Sequence, residues 1–594
     1  LIERIENHWL SNGDPKVEIV LLADLADAPT ECLPNDSAIE KALEQEIVAL
    51  NARYAGERGS PFHLLLRSRQ YCDAQMCWLA WERKRGKLEQ LNRFLIEGDG
   101  SAFHRHVGTH DIPHDIRFVV TVDADTTLPT GVVRKLVGTL AHPLNQAQFD
   151  PTSGRLVSGY TIVQPRVEIS PQSGSRSLFT RLFAGDTSID IYSRAVSNVY
   201  QDLFGAGIFV GKGIYDLRAF HRSVAGRVPE NTILSHDLFE GAHGRVALAS
   251  DIVLFEGFPD NYVEYARRAH RWIRGDWQLL PWLTGSVRLA NGERASNPIG
   301  GVDRWKIIDN LRRSLVAPAT IMLAISGWLI LPGDAWFWSL LAFFMPAGQL
   351  FTDLITGLAR GRRRGASRSL FPQLRDQAGR WLLAIVYLLA DALLSLHAIA
   401  VTLWRLLFSR RNLLEWTSAA HSATDLRSNR ARGVIWRKMW LGPTISVALA
   451  ALLAAIKPDA LAASLPLLIL WIAAPEITWA MARERREDAE PLAEDDRRFL
   501  RGLARRTWLF FETFAGPEDN WLPPDNYQGA PHAEIAQRTS PTNIGMLMLS
   551  TAAAWDLGYI GRSELAARTA NLFATLDRLE RYRGHFYNWY DTRM

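Results

Sequence analysis

The sequence has few cysteines, only Cys32, Cys72 and Cys77 among 594 residues. Three cysteines form neither a disulfide framework nor a convincing metal site, so we expect a reducing compartment. The net charge of +4 is small for this length and does not suggest a nucleic-acid-binding protein. No signal peptide is visible, and because the chain begins with Leu1 rather than Met we expect a fragment of a longer protein.

Long apolar runs are confined to one part of the chain. The mean hydropathy is −0.07, but it averages a polar, charged part before Asn310 and apolar runs after it. Four runs are long enough for a bilayer, which takes roughly 20 residues. They are Leu315–Leu331, Trp336–Ile355, Met439–Ile456 and Leu461–Met481. We therefore predict three regions: 1–310, a membrane region at 311–482, and 490–594.

A fifth apolar run, Trp381–Phe408, carries charged residues and lies between two arginine-rich loops. If this run crossed the membrane, one of these loops would lie outside, against the usual distribution of positive charge. We therefore interpret residues 381–408 as in-plane or re-entrant helices. The other runs then form two hairpins, which leave the N-terminal region and the arginine-rich loops in the cytoplasm.

Segments typical of strands and helices alternate in the first part of the chain. Glu18–Asp24, Phe62–Arg67 and Phe118–Val122 are short apolar runs typical of buried strands. Ile39–Ala55 has the pattern of an amphipathic helix, and Trp81–Leu95 is a basic turn leading into a helix. This alternation predicts an α/β domain with a mostly parallel sheet.

Two carboxylates follow the Phe118–Val122 strand as Asp123-Ala-Asp125. Hard cations such as Mg²⁺ take oxygen ligands and are often shared with substrate phosphates, and open α/β sheets bind ligands at the carboxyl ends of their strands. The pair is a candidate metal site, although such residues are also common in ordinary turns. Residues Lys84 to Lys87 likewise form either a solvated basic face or a set of cations beside a diphosphate.

Two later segments carry further candidate residues. Gly205–Gly213 is rich in glycine but lacks Walker spacing, which favours close approach of its backbone to a ligand or to another segment. In Thr232–Gly241, His236 and Asp237 are either capping residues or, for Asp237, a general base held close to a hydroxyl.

Arg268, Arg271 and Trp272 fall at positions i, i+3 and i+4, on one face of a helix. A basic and aromatic face suits a phosphorylated, sugar-bearing ligand. An Arg- and Trp-rich helix also suits a membrane interface, and both interpretations hold together.

After Pro491 the sequence predicts helices joined by aromatic loops such as Asn520–Gln528. This pattern fits an all-helical carbohydrate-active barrel. Aromatic rings are also ordinary packing material, so the pattern by itself is not specific.

Taken in order, these motifs resemble those of a known family. They are Asp24, Lys84-Arg-Gly-Lys87, Asp123-Ala-Asp125, Gly211-Lys-Gly213, Ser235-His-Asp237 and Arg268-x-x-Arg-Trp272, followed by apolar runs. The set resembles processive, membrane-embedded family-2-type glycosyltransferases such as cellulose synthase. The strings Val-Asp-Ala-Asp-Thr-Thr-Leu-Pro and Ser-His-Asp-Leu-Phe-Glu-Gly, with Asp-Asn-Tyr-Gln near the end, are more similar still to the bacterial cyclic β-1,2-glucan synthases.

The resemblance implies a GT-A-like nucleotide-sugar domain, transmembrane α-helices, and the beginning of a glycoamylase-like (α/α)6-barrel module used for cyclisation. It implies UDP-glucose as the donor and a growing glucan chain as the acceptor, joined in one inverting displacement at the bacterial inner membrane. Asp237 is the implied catalytic base, and Asp125 with Asp123 is the implied site for Mg²⁺ or Mn²⁺. The implied donor-binding residues are Asp24, Lys87, Asp123, Arg271 and Trp272.

Two positions depart from the family pattern. Arg268 stands where the family has Gln, and Asp27 competes with Asp24 for the contact to uridine. By comparison with the family, the cyclisation module after Pro491 ends early. We therefore expect this chain to elongate a glucan without closing it into a ring. Three alternatives stay open: another processive β-glucan synthase, a glycoside hydrolase or transglycosylase acting through the last segment, and a non-enzymatic membrane scaffold.

Overall fold

The protein consists of two compact units, Leu1–Arg485 and Arg486–Met594. The computed structural model describes residues 1–54, 61–108, 111–113, 115–151, 155–183, 197–348, 351, 370–416, 431–483 and 492–593. All candidate site residues named above lie in the first unit.

The first unit begins as alternating strands and helices. Its described strands are β1 (Ile19–Asp24), β2 (Phe62–Arg67), β3 (Gln70–Cys72), β4 (Cys77–Leu79), β5 (Phe103–Val107), β6 (Phe118–Thr121), β7 (Gln148–Phe149), β8 (Leu156–Ser158), β9 (Ile162–Ile169), β10 (Gly213–Asp216), β11 (Val246–Glu256), β12 (Ser286–Arg288) and β13 (Arg294–Ser296). The described α-helices before residue 280 are α1 (Ile2–Asn12), α2 (Asp36–Arg53), α3 (Arg83–Glu97), α4 (Val132–Ala141), α5 (Pro171–Gly174), α6 (Leu178–Phe183), α7 (Ser197–Phe204), α8 (Leu217–Val224), α9 (Asp237–Gly244) and α10 (Tyr262–Gln278).

Two mixed sheets position the site. One has the order β1-β2-β5, with β1 parallel and β5 antiparallel to β2. The other has the order β11-β9-β10-β6, where β11 and β9 are parallel and β10 is antiparallel to both of its neighbours. The prediction of a mostly parallel sheet was therefore wrong. Hydrophobic patterns indicate that a strand exists but not its direction, and the glycine-rich stretch before β10 turns the chain back along the sheet.

The core of this part lies between the sheets and their helices. Every residue of β2 is buried, as the apolar run in the sequence predicts. Leu136 and Leu140 of α4 pack against Val163, Ile214 and Leu254 in the four-stranded sheet. Each buried aliphatic side chain of this kind contributes about 1.5–3 kcal/mol, so the strand ends that carry the acids are held by well-packed strands.

Helices dominate the rest of the first unit. They are α11 (Gly301–Leu329), α12 (Ala335–Phe344), α13 (Leu370–Trp404), α14 (Ala431–Met439), α15 (Leu441–Ile456) and α16 (Pro458–Met481). Helix α11 runs without a break through residue 310, where the sequence predicted a boundary. Among the described residues, two helical segments are long and apolar enough to cross a membrane, Arg375–Ser409 and Pro458–Met481. The bent pair α14–α15 adds a third if it is one span.

These candidates differ from the four predicted spans. Most of the run Leu315–Leu331 lies in α11, which is less apolar than the two candidate spans. The start of the run Trp336–Ile355 forms a shorter apolar helix. Residues 381–408, predicted as in-plane or re-entrant, form one continuous helical segment with a hydropathy of 2.1. The Asp391 and His397 side chains explain the misleading pattern, because both contact polar groups of α10 rather than interrupting the helix.

Helix α10 packs along α13. The Tyr262 hydroxyl donates to the Asp391 carboxylate at 2.6 Å, and the Tyr262 ring stacks on Tyr387 with centroids 3.8 Å apart. About two turns further along α10, His270 Nε2 lies 2.9 Å from His397 Nδ1 of α13. This face of α10 is thus fixed against the longest apolar helix of the unit.

The second unit is small and mainly helical. Its helices are α17 (Glu494–Phe514), α18 (Pro541–Asp556) and α19 (Arg562–Arg578), and its strands are β14 (Tyr527–Gln528), β15 (Glu534–Ile535), β16 (Arg538–Thr539), β17 (Arg581–Tyr582), β18 (His585–Phe586) and β19 (Tyr590–Asp591). Its core is built around Trp508, Phe511, Leu522, Ile544 and Leu572. The three predicted helices are present with ends shifted by a few residues.

Candidate active site

Three carboxylates lie at the ends of two strands in the four-stranded sheet. Asp123 and Asp125 follow β6, and Glu256 is the last residue of β11. Backbone hydrogen bonds between Thr127 and Phe255, at 2.7 and 3.1 Å, hold the loop after β6 against the end of β11. The acids are therefore neighbours, at the edge where the sequence predicted a binding site.

Two lysines bind Asp123 from different segments. Lys84 Nζ of α3 lies 2.6 Å from Asp123 Oδ1, and Lys212 Nζ, from the glycine-rich stretch, lies 3.3 Å from Oδ2. Burial raises the pKa of Asp123, but the two lysine charges and their hydrogen bonds outweigh it and lower the pKa to about 2. Asp123 is thus an anion at any physiological pH.

Lys212 also pairs with Glu256, and Arg268 Nη2 lies 2.5 Å from the other oxygen of that carboxylate. Both Lys212 and Glu256 are more than nine-tenths buried. A buried charge is tolerated when its partners neutralise it. The chain Asp123–Lys212–Glu256–Arg268 therefore ties the strand ends to helix α10.

Asp125 differs from Asp123 because no described residue gives it an ion-pair or hydrogen-bond partner. Its pKa is raised above the ordinary value, first by desolvation and then by the nearby negative charge of Glu256 and Asp123. An exposed carboxylate with excess negative charge around it fits a divalent cation, which typically takes one or two protein carboxylates and completes its shell with phosphate oxygens and water. The donor set at Asp123 and Asp125 therefore fits the implied Mg²⁺ or Mn²⁺.

Asp237 begins helix α9, and its carboxylate packs against Gly211. A Cβ atom at Gly211 would lie 2.5 Å from Asp237 Oδ1 and 2.9 Å from its Cγ, and Gly211 has a φ of +80°. Only glycine satisfies both the space and the backbone conformation. The sequence prediction that these glycines allow close approach to another segment is confirmed.

Two further ionisable groups surround Asp237. His236 Nδ1 lies 2.8 Å from Glu240 Oε1 and 3.6 Å from Asp237 Oδ1, and His236 and Glu240 are each 4% exposed. Burial lowers the pKa of His236, but the charges of Glu240 and Asp237 outweigh it and leave the pKa raised. By distance alone these three side chains also meet the spacing of a metal site.

Helix α10 brings a basic and aromatic face to the same place, as its spacing predicted. The Arg268 guanidinium lies over the Trp272 ring, 4.8 Å from its centroid. Burial and the Arg268 charge lower the pKa of Arg271, while the charges of Asp123, Asp237 and Asp125 oppose this, so its guanidinium is within electrostatic range of all three acids. Gly275 permits this approach, because a Cβ there would lie 2.3 Å from Ser235 Cβ.

Asp24 and Lys87 form a second group at the end of β1. Arg67 holds both Asp24 oxygens, at 2.7 and 2.9 Å, and Lys87 Nζ lies 3.0 Å from Oδ2. Desolvation raises the pKa of Asp24, but Arg67 and Lys87 outweigh it and the pKa is lowered. The competing Asp27 instead pairs with Arg83, at 2.5 and 3.1 Å.

Arg67 itself is a buried support that the sequence analysis missed. Its remaining N–H groups donate to Gln90 Oε1 at 2.7 Å, to the Trp81 carbonyl at 2.8 Å and to the Arg83 carbonyl at 2.9 Å. All five guanidinium donors are thus used within the protein. Glu256 was also missed, although it ends an apolar run in the same way as Asp24.

A short segment after α13 closes one side of this region. The Arg274 and Gln278 side chains donate to the carbonyls of Leu413 at 3.1 and 2.9 Å. The Trp416 ring lies beneath both Arg83 and Arg271, 5.7 and 5.9 Å from their guanidinium carbons. This segment places an indole beside the acid cluster, which nothing in the sequence analysis predicted.

A cavity of about 280 Å³ lies elsewhere, lined by Arg117, Phe149, Tyr160, Asp216 and Arg222 among others. It sits near the start of β6, and the acids follow the end of that strand. The cavity contains none of the candidate residues. The candidate site residues therefore lie in the open region between the strand ends and α10, outside this cavity.

Comparison with known proteins agrees with this geometry. Residues 118–394, which include the acid cluster, α9 and α10, match the family model described as glycosyl transferase family group 2. The chain carries a family 2 glycosyltransferase domain. This glycosyltransferase is also 38% identical over 600 residues to cyclic beta-(1,2)-glucan synthase NdvB of Rhizobium meliloti (strain 1021). The resemblance stated from the sequence is thereby confirmed.

The similarity to NdvB covers 100% of this chain and 21% of the relative. The glycosyltransferase therefore corresponds to one part of a much longer protein. Its membership of the glycosyltransferase class rests on both comparisons, and its donor, linkage and product are matters for proposal.

Proposed function

We propose that this chain is a membrane-embedded, inverting glucosyltransferase that elongates a β-1,2-glucan from UDP-glucose. The observation that carries the proposal is the convergence of the acids after β6 with Asp237. Lys84 Nζ lies 2.6 Å from Asp123 and 3.2 Å from the Gly211 carbonyl, and Gly211 packs against the Asp237 carboxylate. Similarity to NdvB supports the β-1,2-glucan product. A GT-A-like nucleotide-sugar fold is consistent with the strand-end position of the acids.

In this proposal the donor diphosphate lies beside Asp123 and Asp125. Lys84 and Arg271 face the acids and supply positive charge to the leaving UDP, an electrostatic contribution that grows with charge separation. Asp125 and Asp123 would hold Mg²⁺ or Mn²⁺, which would neutralise diphosphate charge when bound. Asp24 and Lys87, held by Arg67, border the uridine end, and Trp272 borders the acceptor end.

Asp237 is the proposed general base. Its carboxylate takes the proton from an acceptor hydroxyl while the hydroxyl oxygen bonds to the anomeric carbon and the bond from that carbon to UDP breaks. Because Asp237 Oδ1 is buried, Oδ2 is the oxygen that reaches the acceptor. One such displacement converts an α-linked donor to a β-linked product.

The apolar helices support a place in a bilayer. Arg375–Ser409 and Pro458–Met481 have the length and composition of spans, and the relative is a glucan synthase. We propose a multi-pass protein of the bacterial inner membrane, with the glycosyltransferase domain in the cytoplasm where nucleotide sugars are made. The second unit is proposed to begin an (α/α)6-barrel-like cyclisation module.

The experiment measures incorporation of labelled glucose from UDP-glucose into polymer by membranes carrying this chain, with and without Mg²⁺ or Mn²⁺. We expect metal-dependent incorporation that falls by about 10²–10⁴-fold in Asp237→Ala, the usual contribution of a general base, and is lost in Asp125→Ala. Asp251→Ala is the matched control, since Asp251 is an exposed aspartate on β11 away from the strand end. Linkage analysis of the product then tests β-1,2.

Incorporation that survives both substitutions would show that the site is elsewhere. The second candidate function, a glycoside hydrolase or transglycosylase in the last segment, is favoured only by the exposed aromatic side chains Tyr582, Tyr587 and Trp589 of the second unit. It predicts cleavage or transfer of β-glucan without a nucleotide donor, unaffected by Asp125→Ala.

A further inference from the structure

The general base proposed above has an unusual partner on its own helix. His236, Asp237 and Glu240 bring together a ring nitrogen and two buried carboxylate oxygens, Asp237 Oδ1 and Glu240 Oε2, that have no hydrogen-bond partner among the described residues. Nδ1 is the ring nitrogen nearest to both carboxylates, 2.8 Å from Glu240 and 3.6 Å from Asp237. Buried polar atoms without partners are costly, so this arrangement invites a functional explanation.

Charge explains how the cluster is held. Two carboxylates within 4.8 Å of one another repel each other unless a cation lies between them, and the imidazole is the group that contacts both. With a proton on Nδ1, His236 donates to Glu240 and attracts Asp237 Oδ1, and the three groups carry one net negative charge instead of two. The raised pKa of His236 has this cause.

Other elements add charge around the cluster. Lys84 of α3 and Arg271 of α10 face Asp237 with positive charge. Tyr215 of β10 lies near Glu240, whose charge, after burial, raises the pKa of that phenol. The backbone of Gly211 packs closely against the Asp237 carboxylate. His236 is the group that contacts both acids, which singles it out.

We propose that His236, oriented by Glu240, is a positioning residue that fixes the Asp237 carboxylate and turns its Oδ2 toward the acceptor. This inference rests on the proposed role of Asp237 as base. In this arrangement Glu240 orients His236, and His236 orients the base Asp237. Other catalytic sites use a third group in the same way, to fix the residue that orients the base. The imidazolium does not transfer a proton to the substrate.

The test compares the pH dependence of sugar transfer in His236→Gln, Glu240→Gln, their double variant and His243→Gln. His243 is the matched control, because it is another imidazole on α9 whose pKa burial lowers to about 4 and whose Nδ1 contacts only the Phe239 carbonyl at 2.9 Å. Asp237→Asn and the unchanged chain are measured in parallel, with initial rates at pH 4.5–8 and varied UDP-glucose.

We expect His236→Gln to lower kcat by about 10–100-fold with KM for UDP-glucose little changed, within the range of a base that is no longer oriented. The kcat profile of His236→Gln loses the dependence on protonation of His236, whose pKa is raised in the unchanged chain. The double variant is no slower than the slower single variant, because the two residues act as a unit. His243→Gln keeps the original profile.

The inference is overturned if His236→Gln loses activity but keeps the pH profile of the unchanged chain, or if its rates match those of His243→Gln. If Asp237→Asn still transfers sugar, or the unchanged chain transfers none, the proposed function itself fails. A dead Asp237→Asn beside an unaffected His236→Gln rejects only the positioning role.

Discussion

Glycine at two positions sets the distance between the charged groups of the site. Gly211 leaves room for the Asp237 carboxylate, and Gly275 lets α10 approach Ser235, which precedes His236 and Asp237 in the chain. At each of these two glycines, an added Cβ atom would collide with the neighbouring residue. The location of the base and of Arg271 is therefore determined as much by absent side chains as by the charged ones.

Gly211→Ala should move the base without changing any charge. The added Cβ would lie 2.5 Å from Asp237 Oδ1, and a displacement of about 1 Å at a catalytic group costs about 10²-fold in rate. We expect sugar incorporation to fall by that factor. The control is Gly226→Ala, which has a similar φ of +70° but no atom within 4 Å of the new Cβ.

Both alanine variants should lose a similar amount of stability, about 1–2 kcal/mol, since both force a left-handed conformation. Thermal unfolding checks this equality. If Gly211→Ala turns over as fast as Gly226→Ala, the carboxylate of Asp237 does not need its present position.

At the scale of single residues, the sequence predicted those site residues that lie next to recognisable strands, helices and turns. Asp123, Asp125 and Asp237 follow or begin elements that are visible as apolar runs and turns, and the structure brings them together. Glu256 obeys the same rule and was recoverable from it. Arg67 and Trp416 were not, because their contacts join segments far apart in the chain, and no local pattern encodes such a distance.

Among the elements, α10 connects the site to the helices that follow it. Its Arg268 binds Glu256, its Arg271 lies within electrostatic range of the acids, and its Tyr262 and His270 contact α13. Near its end Asp276 accepts a hydrogen bond of 2.9 Å from Asn310 of α11. The contact between α10 and α11 therefore includes a poorly solvated carboxylate, that of Asp276.

Asp276 gives the first unit a distinct pH dependence. Burial raises its pKa from 3.8 to about 7, so between these values the folded state binds a proton that the unfolded state has lost. Stability therefore falls as pH rises from about 4 to 7, by about 1.4 kcal/mol per pH unit, and falls no further above pH 7. Asp276→Asn removes this dependence.

We expect Asp276→Asn to gain stability relative to the unchanged protein at pH 8 and to lose that advantage at pH 5. Thermal unfolding at several pH values measures the difference. Asp251→Asn, an exposed aspartate, is the control for adding an amide. A pH-independent difference between Asp276→Asn and the unchanged protein would contradict the assigned cause.

Secondary structure was predicted better than its arrangement. The helices α2, α17, α18 and α19 and the strands β1 and β2 appear within a few residues of their expected ends. The mostly parallel sheet was wrong, and the continuity of the helix through 381–408 was not predicted. Both depend on contacts made after the elements form: pairing between strands for β10, and the polar partners that α10 provides for Asp391 and His397.

The whole molecule divides at Arg485, and this division separates the two functional hypotheses. A chain ending at Arg485 retains every residue of the candidate site. We expect it to incorporate glucose from UDP-glucose at a rate within about threefold of the longer chain, since domains of this kind fold as units. The second unit alone should neither incorporate glucose nor cleave β-glucan.

Asp237→Ala placed in the shortened chain is the control that ties its activity to the same site. Activity that vanishes on truncation and returns on adding the separate second unit would favour the hydrolase or transglycosylase alternative. Measuring both chains with the same donor and metal makes the comparison direct.

The two faces of α10 have a practical consequence for anyone who purifies the enzyme. Arg271 belongs to the side of α10 that serves the proposed donor site, and Tyr262 and His270 contact α13. In the proposed bilayer location, the surroundings of α13 change when detergent replaces lipid. A detergent that lets α13 tilt would pull on Tyr262 and His270 and so shift Arg271 away from the acids, while the strands stay folded. Solubilised material can therefore look intact by circular dichroism and still have lost turnover, and returning it to lipid nanodiscs should restore the rate.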